Sequence, residues 1–217
     1  MLQGFTGEKT MWNVLIVDDQ NTSRHLMEMM VEASGSYSIV KAIPLAKMAD
    51  IYALTLPVDL IVMDIVMADG ISGLQAAEKI KKSKPEIKIL LVTSMPEVSF
   101  MQRAKEIGVD SFWYKETEED QLLNVMDRTM AGENVYPDSP PPVKLGLAKS
   151  SEFTDRELEV LRVLTTGCPD QEIAEKLNIS FSTVRTHINH MLDKTGFETR
   201  TELAIHARLS GVVIPDI

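Results

Sequence analysis

Between residues 12 and 131, short apolar runs alternate five times with stretches of helical period, and this alternation limits the fold more than any other feature of the chain. Trp12-Asn-Val-Leu-Ile-Val17 reads as a buried strand. Asn21 to Ala33 follows, with Leu26, Met29, Met30 and Ala33 on one helical face. Tyr37 to Ile43 is strand-like and Leu45 to Leu54 is a weaker helix. Val58 to Met63 is a third strand, followed by a helix from Ile71 to Ser83 that Pro85 ends. Ile87 to Thr93 and Asp110 to Tyr114 supply the fourth and fifth strands. Helices over Glu97 to Ile107 and Thr117 to Ala131 come after them, closed by Gly108 and Gly132. Strands and helices in this order predict an α/β domain, a doubly wound five-stranded parallel sheet with helices on both faces.

The alternation stops at Tyr136-Pro-Asp-Ser-Pro-Pro-Pro-Val143, where four prolines fall in six residues. Consecutive prolines donate no backbone hydrogen bonds and favour extended chain, so this stretch reads as a linker. The expected organisation is an N-terminal extension (1–11), the α/β domain (12–133), a Pro-rich linker (134–150) and a small all-α domain (151–217). The last reads as four short helices, near 154–166, 170–177, 181–194 and 199–210. Thr154-Asp-Arg-Glu157 has the spacing of a capping box, and Ser180 and Thr199 are natural caps for the later helices.

The formal charge of −10 argues at first sight against a nucleic-acid binder. Its distribution changes that argument. Residues 1–135 carry 13 basic and 20 acidic side chains, whereas residues 180–210 carry 4 and 3. The single cysteine, Cys168, excludes an internal disulfide framework and fits a reducing compartment. No apolar run reaches about 18 residues. A cytoplasmic chain without a membrane span is therefore expected.

In an open parallel sheet, ligands bind beyond the carboxyl ends of the strands. Asp18 and Asp19 follow the first strand and Asp64 the third; Thr93 ends the fourth and Lys115 follows the fifth. Three clustered carboxylates repel one another unless a cation joins them, and hard oxygen ligands with room for water suit Mg²⁺. A carboxylate beside Mg²⁺ and an ammonium can accept a phosphoryl group, because both cations neutralise charge on the transferring oxygens.

Leu15-Ile-Val-Asp-Asp19, Val62-Met-Asp-Ile-Val-Met67, Thr93-Ser94 and Phe112-Trp-Tyr-Lys115 resemble the receiver domain of bacterial two-component response regulators, a flavodoxin-like fold. The resemblance spans about residues 12–131. It implies Asp64 as phosphoacceptor, and Asp18 and Asp19 as the Mg²⁺-binding acids, with Asp19 and the Val66 carbonyl as direct ligands. It implies Thr93 and Phe112 as switch residues and Lys115 as the phosphoryl partner. Receivers usually carry Met-Pro after the phosphoacceptor strand; here the pair is Met67-Ala68, and the loop to Gly73 is one residue longer than usual.

The helices at 170–177 and 181–194 are joined by Asn178-Ile-Ser180, which is helix-turn-helix spacing. Val184 and Ile188 mark the buried face of the second, and Arg185, Thr186 and Asn189 lie opposite. Arg reads guanine and Asn reads adenine with paired hydrogen bonds. Ser180, Ser182, Thr183, His190, Lys194 and Arg200 suit phosphate contacts. Phe153-Thr-Asp-Arg-Glu-Leu-Glu-Val-Leu161, Gln171-Glu-Ile-Ala174, Leu177-Asn-Ile-Ser180, Thr183-Val-Arg-Thr-His187 and Lys194-Thr-Gly196 resemble the LuxR-type helix-turn-helix. Pro169, Asp170 and Gln171 depart from the small polar residues and the Lys common in that family.

A receiver followed by this domain resembles the NarL/FixJ subfamily of response regulators. The resemblance implies phosphorylation by a sensor histidine kinase, homodimerisation when phosphorylated, binding to double-stranded DNA, and RNA polymerase as a further partner. Two alternatives remain at this stage: an atypical regulator that works without phosphorylation, and an adaptor whose helical domain binds protein. An enzyme is not expected. A phosphatase built on a nucleophilic Asp carries a second acid two residues later, and here that position is Val66.

Overall fold

The computed structural model describes residues 11–68, 70–115 and 120–215. It forms two compact units, one of residues up to Thr93 with Met101–Pro137, the other of Ser94–Phe100 with Asp138 onward.

The alternating part contains β1 (Trp12–Val17), α1 (Asn21–Ser34), β2 (Tyr37–Ile43), α2 (Ala49–Thr55), β3 (Leu60–Asp64), α3 (Gly73–Ser83), β4 (Lys88–Thr93), α4 (Val98–Ile107), β5 (Ser111–Tyr114) and α5 (Asp120–Met130). The five strands form one sheet in the order β2-β1-β3-β4-β5, every pairing parallel. This is the doubly wound, flavodoxin-like arrangement. β1, β3 and β4 are central and covered on both faces, which is why they read as continuous apolar runs. Val14, Ile16, Leu60, Val62, Leu90 and Val92 pack with Met27 and Val31 of α1 and Leu122 and Met126 of α5. Leu15, Ile61, Met63, Ile89 and Leu91 alternate with them and are equally buried, toward the other face.

Two of these helices depart from the sequence expectation. The stretch 45–54 splits into a 3₁₀ turn over Ala46–Met48 and the short α2. The helix expected from Ile71 starts at Gly73, because Ser72 caps it: its hydroxyl accepts the Gln75 N–H and the Gln75 side chain accepts the Ser72 N–H. The expected start of the fifth helix, at Thr117, lies outside the described residues.

The second unit contains α6 (Asp155–Leu164), α7 (Asp170–Leu177), α8 (Phe181–Thr195) and α9 (Arg200–Leu209). Leu158, Leu161, Ile173, Val184, Ile188, Met191 and Leu203 share its core. The expected caps form. Thr154 and Glu157 make both bonds of the capping box, Ser180 accepts the Thr183 N–H, and Thr199 accepts the Glu202 N–H. One element was not expected. Two-residue strands β6 (Lys144–Leu145) and β7 (Ala148–Lys149) make an antiparallel hairpin inside the stretch read as linker. Leu145 and Ala148 join the helical core, so this part of 134–150 belongs to the folded second unit. Gly146 turns the hairpin at φ +62, where a Cβ would lie 2.2 Å from the Thr195 carbonyl oxygen.

Candidate functional site

The ends of β1 and β3 are neighbours in the sheet, so Asp18, Asp19 and Asp64 converge. One carboxylate oxygen from each lies within 4.8 Å of the others. Lys115, just past β5, reaches into this cluster from across the sheet. Its Nζ donates to Asp18 Oδ2 at 2.7 Å and to Asp64 Oδ2 at 2.8 Å. Thr93 is buried at the end of β4, and its carbonyl accepts the Lys115 N–H at 3.0 Å. Val66 lies two residues beyond β3, its N–H 3.4 Å from Asp64 Oδ1.

The two acids after β1 are held differently. Asp18 is buried and its carboxylate accepts three hydrogen bonds among the described residues: beyond Lys115 it takes the Ser23 hydroxyl at 2.6 Å and the Gln20 N–H at 2.8 Å, the latter through Oδ1. Arg24 donates to the Asp18 carbonyl at 2.6 Å. Asp19 accepts the Ala68 N–H at 2.8 Å through Oδ2, while its buried Oδ1 has no hydrogen-bond partner among the described residues. A proline at position 68 would have no N–H to give Asp19.

Burial pushes the Asp64 carboxyl up; the Lys115 ammonium and its hydrogen bond pull it back, and the negative charge of Asp18 adds to the rise. Two buried acids and the half-buried Asp19 with one ammonium keep excess negative charge, and Asp19 Oδ1 is a buried lone-pair donor without a partner among the described residues. Hard oxygen donors in this arrangement fit Mg²⁺. Asp18, Asp19 and Asp64 are the residues that would hold it.

At the second candidate surface, α8 places Ser182, Arg185, Thr186, Asn189 and His190 in solvent, opposite buried Val184, Ile188 and Met191. Phe181 is 44% exposed at the start of this helix, and the Arg185 guanidinium lies 5.9 Å from its ring centroid. Sequence periodicity gave no reason to single out Phe181. Ser180 and Thr183 share the cap hydrogen bonds at the helix start. The two cations expected at phosphates are engaged elsewhere. Lys194 donates to both oxygens of Glu157 and to the Glu152 carbonyl. Arg200 donates to Asp170 and to the Cys168 carbonyl. Their partners lie 37 and 30 residues away in sequence, which local pattern does not reveal. The Ala68 amide, 49 residues from Asp19, was missed for the same reason, whereas Ser23 and Arg24 lie within six residues of Asp18 and sit on α1, whose apolar period drew attention away from its polar first turn.

Comparison with known proteins places both surfaces in context. Residues 14–127 match the family model of the response regulator receiver domain, and residues 151–207 that of the bacterial regulatory proteins of the luxR family. The response regulator protein VraR of Staphylococcus aureus is 33% identical over 199 residues, covering 89% of this chain and 95% of that protein. Among solved structures, RcsB from Salmonella enterica serovar Typhimurium, bound to promoter DNA in the presence of phosphomimetic BeF₃⁻, aligns at TM-score 0.62 and 20% identity over 93% of this chain and 99% of that one. The response regulator ChrA of a heme-sensing two-component system aligns at TM-score 0.51 and 23% identity, over 92% and 97% of the two chains. These two likenesses speak to the fold.

Proposed function

Because this chain belongs to the two-component response regulators that join a receiver to a LuxR-type DNA-binding domain, we propose that phosphorylation of Asp64 by a sensor histidine kinase controls its binding to DNA. The family is one of DNA-binding transcriptional regulators, not of enzymes. The observation that carries the proposal is the meeting of Asp64, Lys115 and the unpartnered Asp19 oxygen at one mouth of the sheet.

In this reading an Asp64 oxygen attacks the phosphorus of a phosphohistidine. The new O–P bond forms as the N–P bond breaks, and the imidazole leaves. Asp18, Asp19 and Asp64, with the Val66 carbonyl, would hold Mg²⁺, which would supply positive charge for the phosphoryl oxygens. Lys115 exchanges its contact with Asp64 for one with the phosphoryl group, and the Thr93 hydroxyl donates to a phosphoryl oxygen. Phe112, one strand over, responds to the movement of Thr93. Dimerisation then pairs two α8 helices on half-sites about 10 base pairs apart. Two copies meet through the first and fifth helices, since α1 exposes Leu26 at 45% and Met29 at 55% of their surfaces. Ser182, Arg185, Thr186, Asn189 and His190 read or grip the DNA, and RNA polymerase is the downstream partner.

The test is beryllofluoride with Mg²⁺, which mimics the acyl phosphate. It is expected to raise both the dimer fraction and the DNA affinity of the wild type and to do neither in Asp64→Asn. Genome-wide footprints identical for the two proteins would instead favour a phosphorylation-independent regulator. A DNA affinity with no salt dependence would favour a protein-binding adaptor.

A further inference from the structure

β5 is an edge strand, and the chain that leaves α5 closes that edge. The Phe112 N–H donates to the Val135 carbonyl at 2.8 Å, and the Val135 N–H donates to Ser111 Oγ at 3.1 Å. The Thr129 hydroxyl, from α5, donates to the same Ser111 oxygen at 2.6 Å. One residue on, the Tyr136 hydroxyl donates to the Val109 carbonyl at 2.8 Å. The Tyr136 ring stacks on Phe112 with centroids 6.2 Å apart and planes 25° apart. The Lys105 ammonium of α4 stands 5.1 Å from the Tyr136 centroid, a cation–π contact. Phe112 is 1% exposed, and Tyr114 meets it edge-on at 5.2 Å. The ladder cannot continue: Pro137 has no N–H, and three more prolines follow at 140–142. The segment is thus fastened by a few identifiable contacts, to Val109, Ser111 and Phe112, and Phe112 holds it by both backbone and ring.

We propose that Tyr136 is a positioning residue for Phe112, and that residues 133–137 form a strap on β5 that lifts when Phe112 turns. The proposal rests on the phosphorylation control given above. Phe112 cannot rotate about its side-chain bonds without leaving the Tyr136 ring. Once that stack is broken, Val135 and the Tyr136 hydroxyl hold only a short stretch of edge. A rotamer change at β5 is thereby converted into freedom of the segment that leads to the second unit.

The experiment uses the full chain, as wild type, Tyr136→Ala and Tyr136→Phe. Two quantities are read: DNA affinity with and without beryllofluoride and Mg²⁺, and hydrogen exchange of peptides containing Phe112 and Val135. In the wild type the analogue is expected to raise affinity about tenfold and to speed exchange at both positions. Tyr136→Ala is expected to show fast exchange and high affinity without the analogue, its stimulation falling below about twofold. Tyr136→Phe keeps the ring stack and is expected to retain most of the stimulation, which a purely structural hydroxyl role would not allow. Wild-type exchange and wild-type stimulation in Tyr136→Ala would overturn the proposal. If the analogue leaves the wild type itself unchanged, the phosphorylation reading falls. The strap is then decided by Tyr136→Ala alone, where unchanged exchange at Phe112 would overturn it and accelerated exchange would support it.

Discussion

Gly73→Ala is a sharp probe of how the phosphoacceptor is seated. Gly73 opens α3, donates its N–H to the Ile65 carbonyl at 2.9 Å, and lies directly over the end of β3. A Cβ at this position would stand 2.0 Å from the Asp64 carbonyl oxygen and 2.9 Å from the Asp64 carbonyl carbon. Ordinary contact begins near 3.4 Å, so helix and strand must part by about 1.4 Å. Overpacking of a rigid site costs about 1–3 kcal/mol, and Ala gains back about 0.5–1 kcal/mol of helix preference. A net loss of about 1 kcal/mol corresponds to a fall in Tm of about 3–6 °C for a unit of this size. The functional loss should be larger, because a reacting group displaced by about 1 Å can slow a reaction about 100-fold. The assay is single-turnover phosphoryl uptake from acetyl phosphate, beside thermal unfolding. Gly108→Ala is the matched control: its Cβ would enter open space, and only the positive φ of +82 is strained. That variant is expected to lose about 1 kcal/mol and to take up phosphoryl at the wild-type rate. Wild-type uptake and an unshifted Tm in Gly73→Ala would refute the packing argument.

Other consequences can be measured independently. Glu157 is buried while its partner Lys194 is one-third exposed, so Lys194→Met is expected to destabilise the second unit by about 1–2 kcal/mol, less than a fully buried pair would lose. Burial pushes the Glu157 carboxyl up, but the hydrogen bonds from Lys194 and Thr154 outweigh it and hold it below the ordinary glutamate value. The stability this group contributes is therefore complete at neutral pH and lost as pH falls through its lowered folded pKa, and Lys194→Met should flatten that acid limb in unfolding scans. Asp110 accepts from Lys81, Lys88 and the Ile89 N–H, and Asp110→Ala, which strands the nearly buried Lys81, is expected to cost about 3 kcal/mol by denaturant unfolding. Arg185→Ala should lose about 1–3 kcal/mol of affinity at one base pair and relax preference there, whereas Ser182→Ala should weaken all sequences alike in a binding-site selection assay.

What the sequence disclosed and what it hid follow from the range of the forces involved. β1, β3 and β4 were legible because a strand buried on both faces must be apolar throughout, and the acids stood out as the first charges after such runs. The Thr154–Glu157 capping box was legible because its bonds close within three residues, whereas the Ser72–Gln75 box was overlooked because Ile71 before it read as the first helical residue. The hairpin at 144–149 was not legible, because two-residue strands are shorter than any period. Lys194 and Arg200 read as suited to phosphate contacts because Glu157 and Asp170 approach them only after the helices have packed. Tyr136 was passed over for the prolines beside it, although the hydrogen bonds of its segment close the sheet edge.

That closure bears on how the first unit can be handled by itself. An uncovered edge strand is a template for pairing with another chain. β5 is short and apolar, Ser-Phe-Trp-Tyr, and its Phe112 amide donates to the Val135 carbonyl. A fragment ending at Gly132 would present that amide and an uncovered Phe112 ring to solvent, while one ending at Pro137 would carry its own cover. The longer fragment should stay monodisperse at concentrations where the shorter one aggregates edge to edge. Five residues outside the fifth helix thus decide the colloidal behaviour of a domain whose sheet and helices are the same in both.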